Sequence, residues 1–109
     1  MKLSVIVTLY NEEDNIKPLL HRIYNALEGY SYELLLVDDG SRDATVKNIK
    51  TYANARTRTL IFAKNYGQTT AMLAGIQHAQ GEFIVTLDGD LQNDPYDIPM
   101  MLNKIEQED

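Results

Sequence analysis

The strongest constraint on this chain is a rhythm: a short apolar, β-branched run, a polar turn, then a stretch of helical spacing, repeated along the sequence. Leu3 to Leu9 is the first such run; it ends at Tyr10-Asn11-Glu12 and predicts a strand buried on both faces. From Ile16 the apolar positions Leu19, Leu20, Ile23 and Leu27 recur with helical period, with Pro18 tolerable near the first turn and Gly29 ending the helix. Tyr32 to Val37 predicts a second buried strand, Asp38-Asp39-Gly40-Ser41 a turn, and Asp43 to about Ala53 a helix with acid in its first turn. Thr59 to Ala63 is the third strand. Gly67 precedes a helix of small residues from Gln68 to Ala79, and Gly81 is its expected C-cap. Phe83 to Leu87 is the fourth strand, and a last helix, Tyr96 to Ile105, follows Pro95.

Strands alternating with helices imply right-handed βαβ units and an α/β fold, a doubly wound, mostly parallel sheet. The expected strand order is 3-2-1-4. Ligands of such sheets bind outside the carboxyl ends of the strands, where the order reverses. In that order strands one and four flank the reversal, so Tyr10-Asn11-Glu12, Asp38-Asp39-Gly40-Ser41 and Asp88-Gly89-Asp90 converge on one crevice. No linker or low-complexity tract divides residues 1–109, which form one domain or part of one.

Composition narrows the chemistry. Without Cys there is no disulfide or thiolate metal site, so any metal is held by oxygen or imidazole. A formal charge of -6 argues against nucleic acid, whose binding rests on Lys and Arg neutralising phosphate. The same charge means that a phosphorylated ligand needs local positive charge, most simply a divalent cation. No apolar run approaches the roughly 20 residues of a spanning helix, and Met1-Lys2-Leu3-Ser4-Val5 lacks a signal-peptide core. The expectation is a soluble, unexported chain, with membrane segments still permitted downstream.

Asp88-Gly89-Asp90-Leu91-Gln92 sets two carboxylates and an amide at alternate positions beyond a buried strand, and alternate side chains of an extended segment share a face. Oxygen ligands suit Mg²⁺ or Mn²⁺, completed by substrate phosphates. The spacing alone is equally that of a polar turn. Gly40 and Ser41 suit a βα turn and a helix cap, while the adjacent Asp38 and Asp39 repel unless one meets a donor, such as the imide N–H of a base. Glu12 and Glu13 open a helix, where acid favours the macrodipole, so Glu13 is structural and Glu12 a candidate for either role. Tyr10 is placed to stack on a base, and Lys64, before Asn65-Tyr66-Gly67, to bring a cation and a helix N-terminus toward phosphate. His21 and His78 have no partner His or Cys nearby in sequence and are structural or exposed. Neither a Gly-x-Gly-x-x-Gly after strand one nor a P-loop is present, which removes the main support for dinucleotide and P-loop readings.

Four segments together resemble the family 2 glycosyltransferases of GT-A fold, especially the dolichyl- or polyprenyl-phosphate sugar synthases. They are Val5 to Glu13, Leu36 to Ser41, Asn65-Tyr66-Gly67 and Leu87 to Pro95, and the match covers essentially the whole chain. The resemblance implies a metal-dependent, inverting transferase that moves a sugar from a UDP- or GDP-sugar to a polyprenyl phosphate at the cytoplasmic face of a membrane. By the same resemblance Thr8, Tyr10 and Glu12 line the nucleoside pocket, Asp39 bonds the base, Asp88 and Asp90 form the Asp-x-Asp pair, and Asp90 and Gln92 reach the metal. Two positions depart from the pattern: Thr8 stands where many relatives have Pro, and Lys64 where many have Arg, which keeps the charge but loses a bidentate fork. The family's acceptor half and acidic base lie downstream of position 109. The resemblance therefore implies the N-terminal, nucleotide-sugar-binding part of a longer protein, unable to complete transfer alone and prone to self-association through an uncovered sheet edge. Two other readings compete: a nucleotide-binding module without turnover, and a receiver-like domain. The latter is disfavoured because the acidic pair follows strand two rather than strand one.

Overall fold

In a computed structural model the described residues are 2–90 and 94–108. The elements run β1 (Leu3–Leu9), α1 (Ile16–Ala26), β2 (Tyr32–Asp38), α2 (Thr45–Tyr52), β3 (Thr57–Ile61), α3 (Gln68–His78), β4 (Phe83–Asp88) and α4 (Asp97–Glu108). All four strands are parallel, in the order β3-β2-β1-β4, as the alternation predicts. Every residue of β1 and β2 is buried, which is why both are near-continuous apolar runs.

Two cores follow from the alternation of side chains along the strands. On one face Val5, Val7, Leu34 and Leu36 meet Ile16, Leu19, Leu20, Ile23 and Leu27 of the α1 segment, Ile49 of α2, and Ile98 and Leu102 of α4. Each of these large side chains contributes about 1.5–3 kcal/mol through burial. On the other face Ile6, Leu35 and Val37 meet α3 through Ala71. The small residues of α3 have a reason: a Cβ at Gly75 would lie 2.5 Å from Ile6 Cγ2, so only Gly lets this helix seat on the sheet.

The observed elements differ from expectation at several ends. β3 begins at Thr57 rather than Thr59, because Leu34 pairs with Thr57 and the polar Arg58 finds a carboxylate on β2. Helix α2 begins at Thr45 with Ala44 as its N-cap, so Asp43 precedes the first turn and folds onto its start, accepting from the Thr45 amide at 2.9 Å and from the Thr45 hydroxyl. Helix α3 ends with Ala79 as its C-cap, and Gly81 instead donates its amide to Ser4 Oγ at 2.8 Å. Helix α4 starts one residue later than expected and runs to Glu108.

Candidate functional site

The crevice is built by the turns that leave the carboxyl ends of β1, β2 and β4. After β1 the chain reverses at Asn11, whose φ of 52° lies in the left-handed region that Asn tolerates. This turn is tied to the one after β2: the Asn11 amide donates to Ser41 Oγ (2.8 Å) and Asn11 Oδ1 accepts from the Arg42 amide (2.9 Å). The Glu12 amide donates to Thr45 Oγ1 (2.9 Å), and the Glu13 carboxylate accepts from the Ala44 amide (2.9 Å). Glu12 and Glu13 precede α1 instead of opening it, and Glu13 is structural in a different place, at the entrance to α2.

Both carboxylates at the end of β2 are buried and both have donors. Asp38 accepts from the Ser41 amide at 3.0 Å and from its hydroxyl, so it closes its own turn. Asp39 reaches across to the loop before α3: Oδ1 accepts from the Tyr66 amide (2.7 Å), and Oδ2 from the Gly67 amide (3.0 Å) and Asn65 Nδ2 (2.9 Å). Gly40 makes the approach possible, since a Cβ there would sit 2.7 Å from the Asn65 nitrogen and its φ is 76°.

At the end of β4, Asp88 Oδ1 accepts from Gln68 Nε2 at 2.7 Å. Gly89 passes so near β1 that a Cβ would lie 3.0 Å from the Thr8 carbonyl. An open cleft of about 210 Å³ results. β1 and its turn supply Thr8, Leu9, Tyr10 and Glu12; β2 supplies Asp39; α3 supplies Gln68; β4 and its turn supply Asp88, Gly89 and Asp90. Six of the residues singled out in sequence thus share one cleft. Lys64 does not line it; its Nζ lies 5.3 Å from the Tyr66 ring centroid. Gln92 lies outside the described residues. Gln68 lines the cleft without having been singled out beyond its place at a helix start. The available signal was its chemistry, a long amide opening a helix at the ligand-binding end of the sheet.

Four carboxylates, those of Glu12, Asp39, Asp88 and Asp90, line this cleft, and none of its lining residues is Lys or Arg. Among the described residues no group of three or more His, Cys, Asp or Glu side chains is placed to hold a metal ion. Two carboxylates on one turn fit a hard divalent cation that takes its remaining ligands from phosphate and water.

The sequence model of Glycosyl transferase family 2 matches residues 4–109. The chain belongs to that family. Dodecaprenyl-phosphate galacturonate synthase of Rhizobium johnstonii is 46% identical over 98% of this family 2 chain and 33% of its own length. The mannosyltransferase PcManGT of Pyrobaculum calidifontis, solved with GDP-Man and Mn²⁺, superposes with a TM-score of 0.74 at 28% identity, over 81% of this chain and 27% of that one. S. aureus TarS 1-349 in complex with UDP superposes with a TM-score of 0.78 at 25% identity, over 98% of this chain and 32% of that one. The chain spans about a third of the length of the curated relatives it matches. These neighbours share the GT-A arrangement of a parallel α/β sheet seen here.

Proposed function

We propose that the cleft holds a nucleoside diphosphate sugar, UDP- or GDP-linked, together with Mg²⁺ or Mn²⁺, and that the whole protein transfers the sugar to a polyprenyl phosphate at a membrane surface. The observation that carries this reading is a crevice at the switch point of the sheet, lined by four carboxylates and no cationic side chain. Such a crevice repels a bare diphosphate and accommodates one that arrives with a divalent cation. Support comes from a polyprenyl-phosphate sugar synthase among the relatives and from the GDP-Man, Mn²⁺ and UDP bound by the two solved neighbours.

In this assignment Thr8, Tyr10 and Glu12 border the nucleoside, Asp39 faces the base, and Asp88 and Asp90, with Gln92, hold the cation. Lys64 comes to the phosphates by turning away from Tyr66. The bound cation supplies Lewis-acid stabilisation of the departing diphosphate. The chain's own residues hold the donor in the orientation from which an acceptor oxygen reaches the anomeric carbon. The chain spans about a third of its relatives' length, so contact with a polyprenyl phosphate is assigned to the protein as a whole.

Calorimetric titration with UDP, GDP and their sugars, with and without Mn²⁺, tests the assignment. Metal-dependent binding of one nucleotide is expected, and Asp90→Ala should remove the metal dependence. A folded sample that binds none of these ligands in the presence of Mn²⁺ would sink it.

A further inference from the structure

A chain of contacts crosses the cleft from the base side to the cation side, and no part of the donor-site assignment uses it. It begins at Asp39, 4% exposed, whose carboxylate takes the consecutive amides of Tyr66 and Gly67 and the side chain of Asn65. Those bonds fix the loop at the point where Gly67, with a φ of 104°, turns it into α3. The helix engages at once, Ala71 donating its amide to the Gly67 carbonyl at 3.1 Å. The next residue after Gly67 is Gln68, the first of α3, and its Nε2 donates to Asp88 Oδ1 at 2.7 Å. A long side chain at an exposed helix start ordinarily samples several rotamers. Here its backbone is anchored on one side of the cleft and its amide is engaged on the other.

We propose that Gln68 is a positioning residue of the donor site: anchored through Asp39, it holds the Asp88 carboxylate in the rotation from which that carboxylate and Asp90 share a divalent cation with the diphosphate. This rests on the donor-site reading. An amide is suited to the task because it donates to a carboxylate without adding charge, so it orients Asp88 without competing as a cation. Groups that orient metal-ligating carboxylates typically change metal affinity by about 10–100-fold when removed. Glutamate at this position would keep the length of the side chain, lose the donor and place a second negative charge against Asp88.

The test is a Mn²⁺ titration in saturating UDP, and separately GDP, following the free-ion signal by electron paramagnetic resonance. It compares the unmodified protein with Gln68→Ala, Gln68→Glu, Asp88→Asn and the Gln68→Ala/Asp88→Asn double variant. Gln68→Ala is expected to raise the Mn²⁺ half-saturation about tenfold, with the melting temperature unchanged. The double variant should bind Mn²⁺ no worse than Asp88→Asn, because Gln68 acts only through that carboxylate. Unchanged Mn²⁺ affinity in both Gln68 variants would overturn the proposal, as would full additivity in the double variant. If the unmodified protein takes up no Mn²⁺ with either nucleotide, the donor-site reading fails and this inference falls with it. Loss of Mn²⁺ affinity confined to the variants is a failure of positioning, not of that reading.

Discussion

At the end of β2, two adjacent carboxylates avoid mutual repulsion by taking separate sets of donors: Asp38 closes its turn on Ser41, and Asp39 spans to the loop of Asn65, Tyr66 and Gly67. A carboxylate offers about four lone-pair sites, and three bonds to the loop leave Asp39 room for one donor from a base. Its substitution should therefore injure the fold and the ligand site together. Asp39→Ala removes the acceptor of three part-buried donors, each bond worth about 1 kcal/mol net, and urea unfolding should show a loss on the order of 3 kcal/mol, with weaker nucleotide binding by whatever folds. Wild-type stability in that variant would show that the loop does not depend on Asp39. The need of this pair for donors was legible in the sequence. Their source was not, because two are backbone amides 27 and 28 residues away, and an amide leaves no signature in residue identity. Gln68 escaped for a related reason: its partner Asp88 is 20 residues distant, and only the seating of α3 brings the two together.

Between elements, the amino ends of the strands are joined by a third buried carboxylate. Glu33 of β2 accepts from the Ser4 hydroxyl of β1 and from the Gln80 amide (2.6 Å) beyond α3, and pairs with Arg58 of β3 at 2.9 Å. Burial alone pushes its carboxyl up, but the bonds from Ser4, Gln80 and Arg58 outweigh that and hold it below the ordinary value of 4.5. A carboxyl lowered on folding adds stability that is fully present above its unfolded value and lost as pH falls through the folded one. Unfolding free energy should therefore decline as pH is lowered from about 4.5, and Glu33→Gln should flatten that decline; an identical pH profile in the variant would contradict the assignment. The sequence showed a buried strand over these residues, and the boundary of β3 was misplaced because Arg58 looks like a strand end until Glu33 is seen opposite it. The other strand edge carries a different consequence. On β4, the edge strand, Ile84 is 44% exposed, an apolar side chain on an edge that blunting devices such as a charge would normally protect. Sedimentation of the chain should show concentration-dependent association that Ile84→Lys reduces; a single monomeric species at all concentrations would oppose this.

At the scale of the whole molecule, the topology was legible because each strand of a parallel sheet demands a return helix, so alternating periods leave few arrangements. That the polar turns after β1, β2 and β4 meet followed from the order β3-β2-β1-β4. What the order does not contain is the sign of the field inside the cleft. The chain carries a net charge of -6, and the cleft concentrates that sign with four carboxylates and no lining Lys or Arg. A nucleoside diphosphate alone is then opposed by the cleft, and a divalent cation alone lacks the phosphate oxygens that would complete its shell. The two ligands should stabilise the protein only together. By linkage, a ligand at a hundred times its Kd adds about 2.7 kcal/mol, and for a domain of this size each kcal/mol moves the melting temperature by about 4–8 °C. Thermal unfolding should show little change with Mn²⁺ alone or with UDP or GDP alone, and a rise on the order of 10 °C with Mn²⁺ and the cognate nucleotide combined. The rise should disappear in Asp90→Ala. Equal stabilisation by the nucleotide without metal would mean that cationic side chains, Lys64 first among them, neutralise the diphosphate, and that the carboxylates of the β4 turn serve only to shape it.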